Sequence, residues 1–126
     1  MSGENYFKAR LRSIWIALDG IRQVILTQQN ARIHVVITLI VLLSAWLLRL
    51  PRLEWALLFL VIGFVWTAEI FNTVIEDLVD QVSPEQRSAA KRIKDISAGA
   101  VMVSVLVSIL VGLLIFGPRL WAWITG

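Results

Sequence analysis

Three long apolar runs follow one another along the chain, after an N-terminal stretch of mixed polarity. The runs occupy residues 33–50, 53–75 and 96–116. A helix needs about 20 apolar residues to cross the hydrocarbon core of a bilayer, so each run predicts a transmembrane helix. Pro51 lies in the first gap and the Gly117-Pro118 pair follows the third run, and both predict helix ends.

Residues 1–32 carry a helical pattern of a different kind. Their apolar positions recur at spacings of 4, 3, 4, 3 and 4, at Phe7, Leu11, Ile14, Leu18, Ile21 and Ile25. Such a stripe predicts an amphipathic helix that lies on the membrane surface. The alternative is a core-facing helix of a soluble bundle. Residues 76–95 are polar and predict a connection outside the membrane.

Composition decides between these alternatives. The 126 residues are 58% hydrophobic and 17% charged, with a mean hydropathy of +0.77, whereas soluble domains are about 45–50% apolar and about 25% charged. This excludes a soluble enzyme domain, a disordered regulator and a nucleic-acid binder. The absence of cysteine and the single His34 exclude a disulfide scaffold and a histidine-only zinc triad. The composition therefore predicts one all-α integral membrane domain.

The basic residues predict the orientation of this domain. With three spans, residues 1–32 share a side with residues 76–95, and these segments hold nine of the 12 Lys and Arg residues. The short turn at 49–54 and the C-terminal tail hold the other three. Because cytoplasmic segments are enriched in Lys and Arg, we expect the N-terminus and the 76–95 connection to face the cytoplasm.

One helical stripe of polar residues starts inside the second apolar run. Glu69 follows 14 uncharged residues, and Asn72, Glu76 and Asp80 come after it at spacings of 3, 4 and 4. On a helix these four side chains fall within an arc of about 80°. Clustered carboxylates at a membrane boundary are costly and indicate a bound cation or a role in proton transfer. Oxygen ligands of this kind suit Mg²⁺ or Mn²⁺.

A second motif, Lys94-Asp95, comes just before the third run, and small residues follow it at positions 97–100. A lysine at this boundary can neutralise phosphate charge, and small residues permit close helix packing. The chain has no G-x-x-x-x-G-K-[ST] phosphate loop and no protein-kinase motif. If it handles ATP, it must do so through a carboxylate-held metal and a lysine.

Together these motifs resemble the prokaryotic diacylglycerol kinase family, which includes undecaprenol kinases. The resemblance rests on the pattern E-x-x-N-T-x-x-E-x-x-x-D from Glu69 to Asp80 and on the downstream sequence Lys94-Asp95-x-x-Ala98-Gly99. It extends over residues 13–116. Thr27-Gln28-Gln29-Asn30-Ala31-Arg32-Ile33-His34 resembles a further family segment, and its R-I-H form is closer to the undecaprenol-kinase branch.

The resemblance implies a lipid kinase that phosphorylates the hydroxyl of a membrane lipid alcohol, diacylglycerol or undecaprenol, with ATP and Mg²⁺. It implies a homotrimer of three-span subunits in a bacterial-type cytoplasmic membrane. The active sites would be shared between neighbouring subunits and would face the cytoplasm. Glu69 matches the family's general base, and Asn72 matches the residue that supports it.

The remaining site residues follow from the same resemblance. Glu76 and Gln28 match metal ligands, although many members carry glutamate in place of Gln28. The ATP-binding positions are Gln28, Glu76, Asp80, Glu85, Lys94 and Asp95. Glu69 and Ala98 match positions that contact the lipid. Gln86-Arg87 replaces a Tyr-His pair that is frequent in the family.

Two other functions remain compatible with the residues alone. A small membrane scaffold could use its carboxylates to bind the basic segment of a partner. An ion or proton pathway could run through Glu69 and Asn72. Transfer of phosphate to a lipid, or cation flux in vesicles, separates these possibilities.

Overall fold

Four helices make up the described part of the chain. The computed structural model describes residues 3–83, 85 and 87–126, with side chains from Tyr6 onward. The helices are α1 (Gly3–Thr27), α2 (Gln29–Leu47), α3 (Arg52–Val82) and α4 (Ser88–Thr125). Of these, α2, α3 and α4 are long and apolar enough to cross a membrane. The prediction of an all-helical protein with three spans is therefore confirmed.

The polar connection predicted at 76–95 is itself largely helical. Helix α3 continues to Val82 and α4 begins at Ser88, so only residues 83–87 lie between the two helices. The polar residues after position 75 extend α3 because they have no helix breaker before Ser83. As a result, the stripe from Glu69 to Asp80 lies on one continuous helix. The expectation for Gln86 falls outside the described residues.

A corner separates α1 from α2 at Gln28, before the predicted boundary at residue 32. The backbone of Gln28 is extended, with φ −98° and ψ 125°. Its N–H still donates to the carbonyl of Val24 at 2.9 Å, which closes the last turn of α1. Neither glycine nor proline marks this corner in the sequence. The half-buried side chain of Gln28 makes no capping hydrogen bond.

The turn between α2 and α3 ends α2 with a Schellman motif. Arg49 takes the left-handed conformation, with φ 50°. The N–H of Leu50 donates to Ala45 O at 3.1 Å, and the N–H of Arg49 donates to Trp46 O at 3.1 Å. These two bonds define the motif, in which glycine is the usual left-handed residue. Pro51 follows as the N-cap of α3, so the break predicted at this proline lies in the turn between the two helices.

Helix α4 does not end at Gly117-Pro118, and this prediction is wrong. Pro118 lies inside the helix, which continues to Thr125. A proline normally disfavours a helical residue before it because its ring clashes with the preceding Cβ, and Gly117 has none. The guanidinium of Arg119 also donates to Ile115 O at 2.6 Å, so its side chain satisfies a carbonyl in the disturbed turn.

Packing between α3 and α4 dominates the tertiary structure. A core cluster of Ala45, Leu50, Leu58 and Ile115 joins the two helices to the end of α2. Beside it, Arg119 reaches Glu54 with Nη2···O distances of 2.8 and 3.1 Å. The ion pair fixes α4 against the start of α3. It lies at the opposite end of α3 from Asp80.

The left-handed arginine yields a prediction for stability. Arg49→Gly should raise the free energy of unfolding by about 1 kcal/mol, because glycine adopts this conformation without a Cβ clash. Arg49→Val should lower it, since a β-branched side chain fits the left-handed region poorly. Arg49→Lys keeps both the charge and the strain and serves as the control. Thermal unfolding in detergent micelles measures all three, and a stabilising valine would contradict the interpretation.

Candidate active site

The polar stripe of α3 passes from buried to exposed along the helix. Glu69 is 2% exposed and Asn72 is 7% exposed, whereas Glu76 is half-buried and Asp80 is exposed. Helix geometry explains the gradient, because positions 69, 72, 76 and 80 share one face and each turn lies nearer the end of the α3–α4 pair. The buried end of this stripe is the chemically unusual part.

A cavity of about 300 Å³, here called the carboxylate cavity, opens beside the buried end of the stripe. It is lined by residues of α2, α3 and α4: Asn30, Ile33, His34, Glu69, Asn72, Glu76, Ala98, Val101, Met102 and Val105. Four residues that the sequence singled out, Glu69, Asn72, Glu76 and Ala98, therefore meet in one space. The α3 side of this cavity carries carboxylate and amide side chains, and the α4 side is mostly apolar.

A chain of hydrogen bonds fixes the amide at the centre of this cavity. Ser97 Oγ donates to Asn72 Oδ1 at 2.7 Å, and Asn72 Nδ2 donates to Glu76 Oε1 at 3.0 Å. The Ser97 oxygen also lies 2.9 Å from the carbonyl oxygen of Lys94. With its oxygen engaged by Ser97, Asn72 must present its NH₂ group towards the carboxylates. The amide thus offers hydrogen-bond donors without adding charge.

Glu69 carries a carboxylate oxygen that lacks a hydrogen bond. Its Oε2 is buried and has no hydrogen-bond partner among the described residues. His34 Nε2 lies 3.8 Å from this oxygen, which is beyond hydrogen-bond distance. Buried polar atoms are rarely left unpaired. Such an atom is suited to accept a proton from a bound ligand.

His34 is itself held in place by aromatic and polar neighbours. Its ring meets Trp66 edge-on, with centroids 6.4 Å apart. Trp66 Nε1 in turn donates to Thr38 Oγ1 at 3.2 Å, which ties α3 to α2. The Trp66 ring, held by this hydrogen bond, keeps the imidazole of His34 beside Glu69.

A second polar cavity, the lysine cavity, lies towards the end of the α3–α4 pair. It measures about 180 Å³ and is lined by Val79, Asp80, Ser83, Ala90, Lys91, Lys94 and Asp95. Lys94 Nζ donates to both oxygens of Asp80, at 2.9 and 3.0 Å. Lys91 lies 3.6 Å from Asp95. The predicted nucleotide residues Asp80, Lys94 and Asp95 are therefore neighbours in space.

Two of the predicted site residues stand apart within the described structure. Gln28 occupies the corner between α1 and α2 and does not line the carboxylate or lysine cavity. Glu85 lies in the connection between α3 and α4, where it pairs with Arg87 at 3.6 Å. The side chains of Glu85 and Arg87 are each more than three-quarters exposed. A single chain thus does not bring Gln28 or Glu85 to the other site residues.

The oxygen donors present suit a metal that arrives with a nucleotide. No group of three His, Cys, Asp or Glu side chains among the described residues is placed to hold a metal alone. Mg²⁺ is commonly held by one or two carboxylates, with phosphate oxygens and waters as its other ligands. Glu76, whose Oε1 already accepts from Asn72, fits this pattern of one protein carboxylate.

Three residues of the site escaped the sequence analysis as participants. His34 figured there only as the single histidine of the chain and as part of the R-I-H segment, Ser97 only as a small residue, and Asn30 only as a member of the same family segment as His34. All three lie on the faces that α2 and α4 turn towards α3. The helical spacing of Asn30 and His34 was a usable signal, because residues four apart share a face.

Known proteins resemble this chain over most of its length. A family model described as prokaryotic diacylglycerol kinase matches residues 15–116. The chain is 39% identical over 101 residues to an undecaprenol kinase of Bacillus subtilis, which covers 80% of this chain and 82% of the relative. It is 35% identical over 103 residues to a diacylglycerol kinase of Synechocystis, and this match covers 81% of this chain and 59% of the relative. A diacylglycerol kinase of Escherichia coli is 28% identical over 100 residues, and this match covers 79% of this chain and 74% of the relative.

Proposed function

The chain belongs to the prokaryotic diacylglycerol kinase family, whose members are lipid kinases, and on this premise we propose how its residues phosphorylate a lipid alcohol. The lipid, diacylglycerol or undecaprenol, presents its hydroxyl in the carboxylate cavity, and ATP supplies the phosphoryl group. The hydroxyl oxygen forms a bond to the γ-phosphorus while the bond to the β–γ bridging oxygen breaks. The products are a phosphorylated lipid and ADP.

The observation that supports this proposal best is the unpaired, buried Oε2 of Glu69. A lipid hydroxyl in the carboxylate cavity can donate its proton to this oxygen as the phosphorus–oxygen bond forms. Ala98, on the facing wall, leaves room for the first carbons of the lipid. Glu69 is then the general base, and Asn72 supports it with an uncharged amide.

Charge on the nucleotide would be neutralised farther along α3, towards the lysine cavity. Phosphoryl transfer requires mainly positioning and electrostatic stabilisation. Glu76 would hold Mg²⁺ (Mn²⁺ is an equivalent oxygen-liganded ion), which neutralises phosphate charge when it is bound with ATP. Lys94, positioned by its two bonds to Asp80, provides a point charge for phosphate oxygens. Asp95 belongs to the same proposed nucleotide site, and Gln28 and Glu85 of a neighbouring subunit would complete it.

Scaffold and ion-pathway functions have less support. A scaffold that binds a basic partner through exposed carboxylates would leave the buried Glu69 carboxylate without a role. An ion pathway needs polar groups along the whole span. The space that continues from His34 towards Phe116 is mainly apolar.

The proposed orientation places the carboxylate cavity at the cytoplasmic surface, where ATP is available. The nine basic residues of segments 1–32 and 76–95 support it. Helix α1 would lie on the same surface, with its apolar side in the headgroup region. Phe7, Leu11 and Ile14 are all exposed on α1, which suits contact with lipid.

Loss of the general base is the main test of the function. In vesicles with Mg-ATP and either lipid, the parent protein should transfer phosphate to the lipid. Glu69→Gln should lower kcat by about 10²–10⁴-fold and leave ATP binding nearly unchanged. Asp19→Asn removes an exposed carboxylate of α1 that lines neither cavity and should keep kcat. A near-normal kcat in assembled Glu69→Gln protein would refute the base assignment.

Metal dependence tests the assignment of Glu76. Glu76→Gln removes one unit of negative charge from the proposed metal position, so the Mg²⁺ concentration for half-maximal activity should rise as kcat falls. Gln28→Glu is the companion variant, and it should lower the required Mg²⁺ concentration if Gln28 neighbours the metal. Unchanged metal dependence in Glu76→Gln would show that Glu76 is not a ligand.

Orientation can be tested by labelling because the chain has no native cysteine. Ser88→Cys and Ile124→Cys place single thiols at exposed positions near opposite ends of α4. In intact cells an impermeant maleimide should label Ile124→Cys only, and Ser88→Cys should react after permeabilisation. The reverse pattern would place the carboxylate cavity outside the cytoplasm.

We further propose that the protein acts as a homotrimer. The exposed parts of the α3 stripe would be costly to hold against lipid, and a neighbouring subunit can cover them. A neighbouring subunit can also bring its own Gln28 to the carboxylate cavity, whereas Gln28 of the same chain lies outside that cavity. Crosslinking in native membranes should yield species up to the trimer. Monomer at every crosslinker concentration would contradict this assembly.

A further inference from the structure

Ser83 lines the lysine cavity, and the function proposed above gives it no role. It is the C-cap of α3, and its N–H donates to Val79 O at 2.8 Å. Its side-chain oxygen is buried and has no hydrogen-bond partner among the described residues. A buried hydroxyl without a partner is rare, because it has lost its hydrogen bonds to water. This hydroxyl is therefore suited to bond a polar ligand that enters the lysine cavity.

Ser83 continues the polar stripe of α3 by one further step. It follows Asp80 at a spacing of 3, which keeps both residues on one helix face. From Glu76 to Ser83 the helix rises about 10 Å. This distance exceeds the separation of neighbouring phosphorus atoms in a polyphosphate. A nucleotide whose terminal phosphate lies beside Glu76 therefore meets Ser83 with a part that is nearer the nucleoside.

Two lysines leave hydrogen-bond donors available in the same cavity. Lys94 Nζ carries three N–H groups, and its two bonds to Asp80 use two of them. Lys91 lies 3.6 Å from Asp95, and both side chains of this pair are exposed, so water weakens their attraction. One N–H of Lys94 and the ammonium of Lys91 can thus join the Ser83 hydroxyl in binding a ligand with acceptor oxygens.

We propose that Ser83 binds a phosphate group of the nucleotide that is not transferred, by donating its hydroxyl hydrogen to a phosphate oxygen. The inference rests on the proposed function and deepens it, because it assigns the inner part of the polyphosphate chain to the lysine cavity. Phosphate oxygens are negatively charged acceptors, which match the donors of Ser83 and Lys94. The cavity, at about 180 Å³, has room for a phosphate group but not for a whole nucleotide.

This position determines which kinetic constant the hydroxyl controls. The phosphate that meets Ser83 is present in both ATP and ADP, and it keeps its place while the terminal phosphate is transferred. An interaction that is equally strong in the ground state and the transition state lowers KM without raising kcat. Ser83 is therefore a binding residue for substrate and product alike.

Nucleotide titration of the protein in detergent micelles tests the assignment without catalysis. Ser83→Ala should raise the Kd for Mg-ADP and for Mg-ATP by the same factor, about tenfold or more, as expected for a lost hydrogen bond to a charged group. The KM for ATP should rise with them, whereas kcat at saturating ATP and the KM for the lipid should not change. Ser83→Thr keeps a hydroxyl and should stay near the parent. An unchanged Kd for Mg-ADP in Ser83→Ala would overturn the proposal.

Ser44→Ala is the matched control for the loss of a serine hydroxyl. Ser44 lies near the C-terminal end of α2, where its Oγ donates to Ile40 O at 2.8 Å. It lines neither the carboxylate cavity nor the lysine cavity. The same change of residue type at this position should leave both nucleotide Kd values unchanged.

Thermal unfolding separates a binding role of Ser83 from a structural one. Because its hydroxyl has no partner in the free chain, Ser83→Ala should not lower the unfolding temperature of the ligand-free protein. Mg-ADP at a fixed concentration should raise the unfolding temperature of the parent more than that of Ser83→Ala, since weaker binding gives less stabilisation. A less stable ligand-free variant with an undiminished response to Mg-ADP would contradict the binding role.

Two fragments of the nucleotide, each in competition with Mg-ADP, identify the group that Ser83 meets. Ser83→Asp adds a negative charge, so it should weaken pyrophosphate binding more than Ser83→Ala does and leave adenosine binding unchanged. Weaker adenosine binding with unchanged pyrophosphate binding would assign Ser83 to the nucleoside and overturn the phosphate assignment. So would a loss of affinity for ATP alone, which would place Ser83 at the transferred phosphate. A parent that binds Mg-ADP but phosphorylates neither lipid would refute the proposed function, and the ADP titration would still decide the role of Ser83.

Discussion

Burial of the Glu69 carboxylate within a membrane-spanning helix pair is the constraint on which the site depends. A carboxylate at 2% exposure among apolar helices costs several kcal/mol unless partners or a protonated state offset the penalty. The structure does not offset it with a hydrogen bond to Oε2. It surrounds the group instead with an amide, an imidazole and a cavity that can admit a hydroxyl.

This constraint accounts for the composition of the neighbouring helices. The amide of Asn72 can satisfy polar groups without a like charge beside Glu69, and Ser97 on α4 sets its direction. Small side chains around Ala98 leave room for a ligand where large ones would close the space. Farther along α3 the exposure increases, and charged pairs such as Asp80 with Lys94 replace the neutral network. Polarity is thus graded along one helix face.

The sequence predicts the spans and the stripe because both follow from helical periodicity, which is local. Three apolar runs and the spacing from Glu69 to Asp80 need no tertiary information. The corner at Gln28 escaped prediction because no glycine or proline marks it. The helix end predicted at Pro118 was wrong for two reasons. Gly117 has no Cβ to clash with the proline ring, and the side chain of Arg119 donates a hydrogen bond to Ile115 O in the same turn. The proximity of His34 to Glu69 depends on how α2 packs against α3, which no single-helix pattern contains.

The continuity of α3 past the membrane boundary restricts how this protein can change its length. From Glu69 to Asp80 the backbone is one helix, so each inserted or deleted residue would turn everything beyond it by about 100°. A single insertion there would carry Asp80 away from Lys94 and separate the proposed base from the proposed nucleotide site. Residues 83–87 join the two long helices outside this continuous helix, so a length change there would leave the Glu69–Asp80 stripe in register, although it would move Glu85. Variation in length is therefore less compatible with the proposed function between Glu69 and Asp80 than in that connection.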